Sequence, residues 1–287
     1  MEFTNKRNFP RGIKNFLEYN DYTAGARTDI SVTKLIGSPL VSALWREYGR
    51  EVIEDNADRT WSQVGSGIHS RFEAANATDS HMLMEKRFFA SIDVPFQKKP
   101  ITLSGQIDAF DMTSLTLADV KTSGVYKVVL GDTEDWENQL NVNRYLMHMN
   151  GFDVSNLEIW SIAKDWSKAR SKEEDYPDHP ISVIPIPMWE LEQTREYIFE
   201  RLELHFGDTD PQCTDKDRWA RPAKFAVMKT GRKSALRLLN SKEAAESWVK
   251  SQAANQKGIS IVERPAQYVR CDGYCPFKSM GVCPNYS

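Results

Sequence analysis

The sequence predicts a mixed α/β chain that ends in a smaller α/β appendage. Three observations carry that expectation. Alternating runs, "EKRFFASIDVPF", "ITLSGQIDAFD" and "LTLADVKTS", follow one another between residues 85 and 123, and a period of two is the mark of a strand. Stretches with apolar residues at helical spacing flank them on both sides. After Gly207 the composition changes, with seven basic residues and no acid from Arg218 to Arg237. The expected organisation is an N-terminal arm over 1–30, a core over 31–207, and a basic appended unit with a cysteine tail over 208–287.

Residues 1–30 are polar with little periodicity and are expected to be extended. "SVTKLIGSPLVSALWREY" reads as helix, broken or restarted at Pro39. In "TWSQVGSGIHSRFEAANA", Thr60 and Gln63 suggest a capping box, and Val64, Ile68 and Phe72 a buried stripe. Gly65, His69 and Glu73 form the adjacent stripe, about 100° around the helix. "DMTS" supplies turn residues before the third strand. A helix over 136–149 ends at Gly151, and "NLEIWSIAK" is another strand. Residues 167–180 read as a charged loop. "ISVIPIPMW" is an edge strand, because it holds two prolines. A final core helix sets Leu191, Ile198, Leu202 and Phe206 on one side. In the appendage, "SKEAAESWVKSQAA" reads as helix and "GISIVERP" as strand.

Composition excludes several classes. An apolar share of 40% in 287 residues and a mean hydropathy of −0.54 describe an ordinary globular chain. No apolar run approaches the roughly 20 residues that span a bilayer. The N-terminus lacks the apolar core of a secretory signal, so a cytoplasmic location is expected (the host cytoplasm if a phage encodes the chain). A net charge of −3 argues against nonspecific coating of nucleic acid, but it allows a local basic groove beside acidic metal ligands.

The densest chemistry lies around "LADVKTS". Alternation puts Asp119 and Lys121 on one strand face, with Val120 on the other. A hairpin across "DMTS" would bring Asp108 to Asp119. Two converging carboxylates repel unless a cation lies between them, and Mg²⁺ favours such hard oxygen ligands. A neighbouring lysine can stabilise charge that grows on a phosphate. Taken alone, "DVK" is more often a solvated salt pair, since short motifs arise readily by chance. His69 on its helix face could serve as a ligand where Mn²⁺ is accepted. Gln139, on the helix after the lysine strand, could hold a phosphate or the attacking water.

In order, Gly65 and His69, then "SGQIDAF" with Asp108, "ADVKTS" with Asp119 and Lys121, and "WENQLNVNRYL" with Gln139 resemble the RecB-type branch of the PD-(D/E)XK nucleases. That branch includes helicase-associated nuclease domains, CRISPR-associated RecB-like nucleases and tailed-phage exonucleases. The match covers about residues 31–165. The resemblance implies a restriction-endonuclease-like core, a central mixed β-sheet flanked by helices. It implies metal-dependent DNA cleavage, an exonuclease before other activities, in recombination, repair or phage DNA turnover. His69, Asp108, Asp119 and the Val120 carbonyl would then hold Mg²⁺ or Mn²⁺, with Glu85 as a weaker candidate. Lys121 and Gln139 would position and activate water. The partners would be DNA ends, single- or double-stranded, and a helicase or recombination protein, with no membrane. An inactive nucleic-acid-binding adaptor and a site-specific endonuclease are the rival readings.

Two positions depart from the family pattern. Asn143 stands where relatives carry tyrosine, with Tyr145 two residues on as a shifted DNA contact. Ser38-Pro39 stands where iron–sulfur members carry a cysteine. The tail "RCDGYCPFKSMGVCP" still resembles their C-terminal arm, so Cys271, Cys275 and Cys283 with Cys213 could hold a [4Fe–4S] cluster or a structural Zn²⁺. The segment from Arg218 interleaves Trp219 with Arg221, Lys224, Lys229, Arg232 and Lys233. Charge beside an aromatic suits a nucleic-acid strand held without reading its sequence.

Overall fold

The computed structural model describes residues 2–20, 28–252 and 258–286. Parts of the expected arm, and the last residues of the helix expected to end near 254, therefore lie outside the described residues. The chain divides into two compact units, Met1–Pro211 and Gln212–Ser287.

The first unit opens with β1 (Glu2–Thr4), α1 (Arg11–Glu18), β2 (Ile30–Ser31), α2 (Val32–Ile36), α3 (Pro39–Tyr48), β3 (Ile53–Asp55) and α4 (Thr60–Asn76). Strands β4 (Met82–Met84), β5 (Arg87–Ile92), β6 (Ile101–Gln106), β7 (Ala109–Asp111) and β8 (Thr116–Ser123) follow. Helices α5 (Val125–Val129) and α6 (Glu134–Met149) lead to β9 (Asn156–Ala163), β10 (Ile181–Pro185) and α7 (Leu191–Phe206).

Five strands make a mixed sheet in the order β10-β9-β8-β7-β4. Strands β8 and β9 run parallel and the other neighbours antiparallel. A parallel pair needs a long crossover, and α5 and α6 provide it. A second sheet has the order β2-β6-β5. Helix α6 is buried along most of its length, through Trp136, Leu140, Val142, Leu146 and Met147. Its Asn141 secures the chain ahead of α7: the amide donates to the Pro187 carbonyl at 2.9 Å and accepts the Trp189 N–H at 2.8 Å.

The two sheets share one long hairpin. Pairs Met84↔Ala109 and Arg87↔Gln106 keep the same register. Between them the Glu85 N–H donates to the Asp108 carbonyl at 3.1 Å, and the Ile107 N–H to the Lys86 carbonyl at 2.9 Å. The hairpin thus leaves one sheet and enters the other at Glu85–Lys86 and Ile107–Asp108. Glu85 makes that corner with a φ of 47°, a left-handed conformation uncommon outside glycine.

Several expectations are corrected. Residues 11–18 are helical rather than extended, and α1 buries Leu17. Helix α4 has no capping box: Thr60 donates its hydroxyl to the Ala57 carbonyl, and Gln63 donates to the Leu17 and Tyr19 carbonyls. Its apolar stripe is not buried either, since Val64 is 38% exposed and Ile68 and Phe72 are half-buried. Ser38 caps α3, accepting the Val41 N–H at 3.4 Å, with Pro39 at the first helical position. That pair is therefore a helix start.

The second unit contains β11 (Ala220–Arg221), β12 (Lys224–Lys229), β13 (Arg237–Leu239), α8 (Lys242–Ser251), β14 (Ile259–Arg264), β15 (Gln267–Tyr268), α9 (Val269–Gly273) and α10 (Pro276–Ser279). Strands β13-β12-β14 form an antiparallel sheet against which α8 packs, burying Ala245, Ala226 and Val227. Strands β11 and β15 pair separately. No described helix in either unit is long and apolar enough to cross a membrane.

Candidate metal centre and active site

Three carboxylates stand at one level across three adjoining strands. Glu85 and Asp108 are opposite one another in the long hairpin. The β7–β8 register pairs Ala109 with Ala118, so one step further Asp108 faces Asp119. The sheet also uses Asp108 directly: its Oδ2 accepts the Val120 N–H at 2.7 Å. A side chain thereby replaces the backbone acceptor that the ladder would otherwise supply. The Val120 N–H is thus committed to Asp108.

His69 reaches this row from α4. Its Nδ1 lies 3.2 Å from Glu85 Oε1 and 3.5 Å from Asp108 Oδ1. One potential ligand atom from each of His69, Glu85 and Asp108 falls within 4.8 Å of the others. Glu85, the weaker candidate from sequence, is therefore a full member of this group. Hydrogen bonds to Asp108 and Glu85 raise the His69 pKa to about 10, against the opposing effect of burial. The protonated ring takes the position of a cation between two acids.

Asp119 belongs to the other side of the row. Its Oδ1 accepts from Gln139 Nε2 at 3.0 Å, and Gln139 Oε1 accepts from Lys121 Nζ at 3.1 Å. Lys121 Nζ lies 2.5 Å from Asp119 Oδ2, yet that oxygen has no aligned hydrogen bond. The contact is electrostatic rather than directional, and it leaves a buried lone pair that a cation could use. Burial pushes the Asp119 pKa up to about 7; Lys121 opposes the shift and the nearby Asp108 charge adds to it. Burial also works to raise Asp108, but the hydrogen bond and charge of His69, the charge of Lys121 and the Val120 N–H outweigh it and hold Asp108 low. The donor set of imidazole and carboxylates, with one orphaned oxygen, fits a hard divalent cation.

A cavity of about 270 Å³ opens onto these residues and is also lined by Arg87, Ser104, Gln106 and Asn143. Sequence reasoning missed the first three. Nothing local marks Arg87, because Glu85 stands at the corner with a φ of 47° and strand parity does not carry across it. Asn143 lies one helical turn beyond Gln139 and faces Gly105, where an added Cβ would collide with its Oδ1. Tyr145 is not part of the cavity lining. It is 9% exposed in the hydrophobic core, so the suggested DNA contact through Tyr145 is corrected.

In the second unit, no disulfide joins the four cysteines, all of which are among the described residues. A tetrahedral zinc site sets its sulfurs about 3.8 Å apart, from a Zn–S length of about 2.3 Å. Among the described residues no three cysteine sulfurs come within 4.8 Å of one another, so the zinc alternative does not fit. Tyr286 hydrogen-bonds Cys271, and this bond is the main cause that pushes the phenol up to about 12. The basic segment does not form one stripe. Lys224 and Lys229 sit five residues apart on β12 and so face opposite sides, while Arg232 and Lys233 lie in the turn beyond. Arg221 is exposed at the end of β11. Trp219 is 49% exposed and stacks edge-on with Tyr274 at 5.1 Å. Arg218 lies 4.2 Å above the Tyr268 ring.

No protein-family model and no curated protein matches the chain. Among solved structures, the chain is similar to SSO0001 at 17% identity, over 72% of this chain and 88% of that one, with a TM-score of 0.49. It is also similar to a phage-related exonuclease from Haemophilus somnus 129PT at 11% identity, over 68% and 78%, with a TM-score of 0.26. A candidate exonuclease from Eubacterium rectale matches at 12% identity, over 75% and 79%, with a TM-score of 0.32. Likenesses this distant leave the function to the chemistry of the site itself.

Proposed function

We propose that this chain is a divalent-metal-dependent deoxyribonuclease of the RecB type, built on a restriction-endonuclease-like core and acting as an exonuclease. The observation that carries the reading is the row of Glu85, Asp108 and Asp119 across three strands, with Lys121 and Gln139 closing on its buried end. Like charges opposite one another on a sheet are destabilising, so such a row calls for a cation. His69, Glu85, Asp108 and Asp119 would hold Mg²⁺ or Mn²⁺. A bound cation would supply the Lewis acidity that phosphodiester hydrolysis needs.

The chain's own groups do the rest. Burial works to deprotonate Lys121, but the close charge of Asp119 and the charge of Asp108 outweigh it and raise its pKa. Its ammonium is therefore available to phosphate oxygens as negative charge grows on them. Gln139 holds Lys121 and Asp119 in one orientation and offers its amide to the attacking water. That water attacks phosphorus in line, the opposite P–O bond breaks, and the leaving oxygen takes up a proton.

DNA is the proposed substrate, with Arg218 and Trp219 as its contacts in the second unit. The proposal extends to a [4Fe–4S] cluster on Cys213, Cys271, Cys275 and Cys283, on the C-x3-C-x7-C spacing of the tail in sequence. The test is digestion of linear and circular DNA, end-labelled at 5′ or 3′, with Mg²⁺ or Mn²⁺ and then with EDTA. Loss of linear DNA from its ends, abolished by EDTA and by Asp119→Ala, is expected. Wild-type rates from Asp119→Ala would sink the proposal.

A further inference from the structure

The cavity that holds the three acids has a second cationic wall that the nuclease reading leaves unused. Arg87 opens β5, two residues beyond Glu85, and lines the same cavity. Its guanidinium donates to Gln106 Oε1 at 2.7 Å and to Ser104 Oγ at 3.3 Å. Gln106 is its cross-strand partner, and the other end of that amide donates to Glu85 Oε2 at 2.7 Å. Both ends of Gln106 are thus committed, which fixes the amide's orientation: the NH₂ must meet the carboxylate and the oxygen must meet the arginine. Gln106 and Ser104 are neutral acceptors that orient the guanidinium.

The Gln106 amide stands between Arg87 and Glu85, so the guanidinium is set off from the acids by the width of that amide. Lys121 and Gln139 occupy the opposite end of the row. A guanidinium presents a rigid fork of donors that matches paired phosphate oxygens. Arg87 and Lys121 line the same cavity, and one nucleic-acid strand lying in it would meet both.

We propose that Arg87 grips a backbone phosphate next to the one being cut, and that Gln106 transmits that grip to Glu85 as a positioning residue. This rests on the nuclease reading above. Uncharged methylphosphonate linkages, placed one at a time on either side of the cut in a short DNA, test it. In the wild-type protein one flanking position should lower kcat/KM about tenfold, the effect of one lost charge-assisted hydrogen bond. Arg87→Gln should show the same loss on natural DNA, mainly through KM, and should become indifferent to that linkage. Arg87→Lys should recover part of the loss. Gln106→Ala should instead lower kcat and weaken Mn²⁺ binding.

Thermal melting of each variant separates misfolding from loss of contact, and Arg87→Lys serves where Arg87→Gln does not fold. If the wild-type protein cuts but the arginine variants keep its full pattern of methylphosphonate losses, the Arg87 assignment is overturned and the nuclease reading stands. If the wild-type protein cuts nothing with either metal, both fall.

Discussion

Asp108 and Asp119 face each other across β7 and β8, 8% and 2% exposed, and only one of them is held in its charged form. The hydrogen bond and charge of His69, the Lys121 charge and a backbone N–H keep Asp108 ionised against its burial. Asp119 is pushed up to about 7, above all by burial. The pair is therefore poised to exchange a proton for a cation.

Asp119→Asn should abolish cleavage yet leave the metal-free protein more stable near pH 8. The folded carboxyl titrates near 7, while an unfolded aspartate titrates near about 3.9. Between those values the folded chain holds the extra proton, so stability falls as pH rises through that window. The asparagine variant should lose this slope. Melting curves from pH 4 to 8 in EDTA check it, and an unchanged slope would refute the assigned burial.

Cation binding should release protons. His69 titrates near 10 without metal because two acids hold its proton, and that proton must leave before the ring can act as a ligand. Apparent Mn²⁺ affinity should therefore rise between pH 6 and 8. Calorimetry in buffers of different ionisation enthalpy should report about one proton released per ion or more. His69→Gln should weaken binding and flatten that dependence.

Lys121→Ala should lower kcat by about 10²–10³-fold, the usual cost of removing one transition-state donor. DNA binding should change little, since the lysine is held by Asp119 and Gln139 within the site. Gln139→Ala should have a smaller effect in the same direction, because it removes the support and leaves the charge. Single-turnover cleavage alongside a binding assay separates the two outcomes.

Gly105→Ala should destabilise the protein by about 1–3 kcal/mol. The added methyl would meet Asn143 Oδ1, Val32 Cγ2 at 2.8 Å and Leu146 Cδ1 at 2.9 Å. Shortening the first neighbour with Asn143→Ser should recover part of the loss in the double variant. Asn143→Tyr should destabilise for the same reason, as a ring has no room over β6. Denaturant midpoints check both.

Parity and period made part of this site legible in the sequence. Asp119 and Lys121 share a face because strands alternate, and His69 shares a helical stripe with Gly65. The same arithmetic excludes Tyr145: residues four apart share a helix face, as Gln139 and Asn143 do, and residues six apart do not. Register was harder to read. Nothing local shows that β4–β5 and β6–β7 form one hairpin, and that continuity is what sets Glu85 opposite Asp108. Nor does an apolar stripe say what it faces. Val64, Ile68 and Phe72 have core spacing, yet α4 offers its Gly65 side to β8, where Thr122 lies 3.6 Å from the Cβ that Gly65 lacks.

The left-handed φ of 47° at Glu85 marks a crease, because the hairpin folds from one sheet to the other there. Glu85 and Asp108 sit on the fold line, and no single sheet holds them flat. The direction in which their side chains point follows the angle between two sheets, so packing far from the cavity, under β5 or behind β9, can tighten or slacken the grip on an ion without touching a ligand. A lineage could retune such a centre by bending the sheets and leaving every ligand in place.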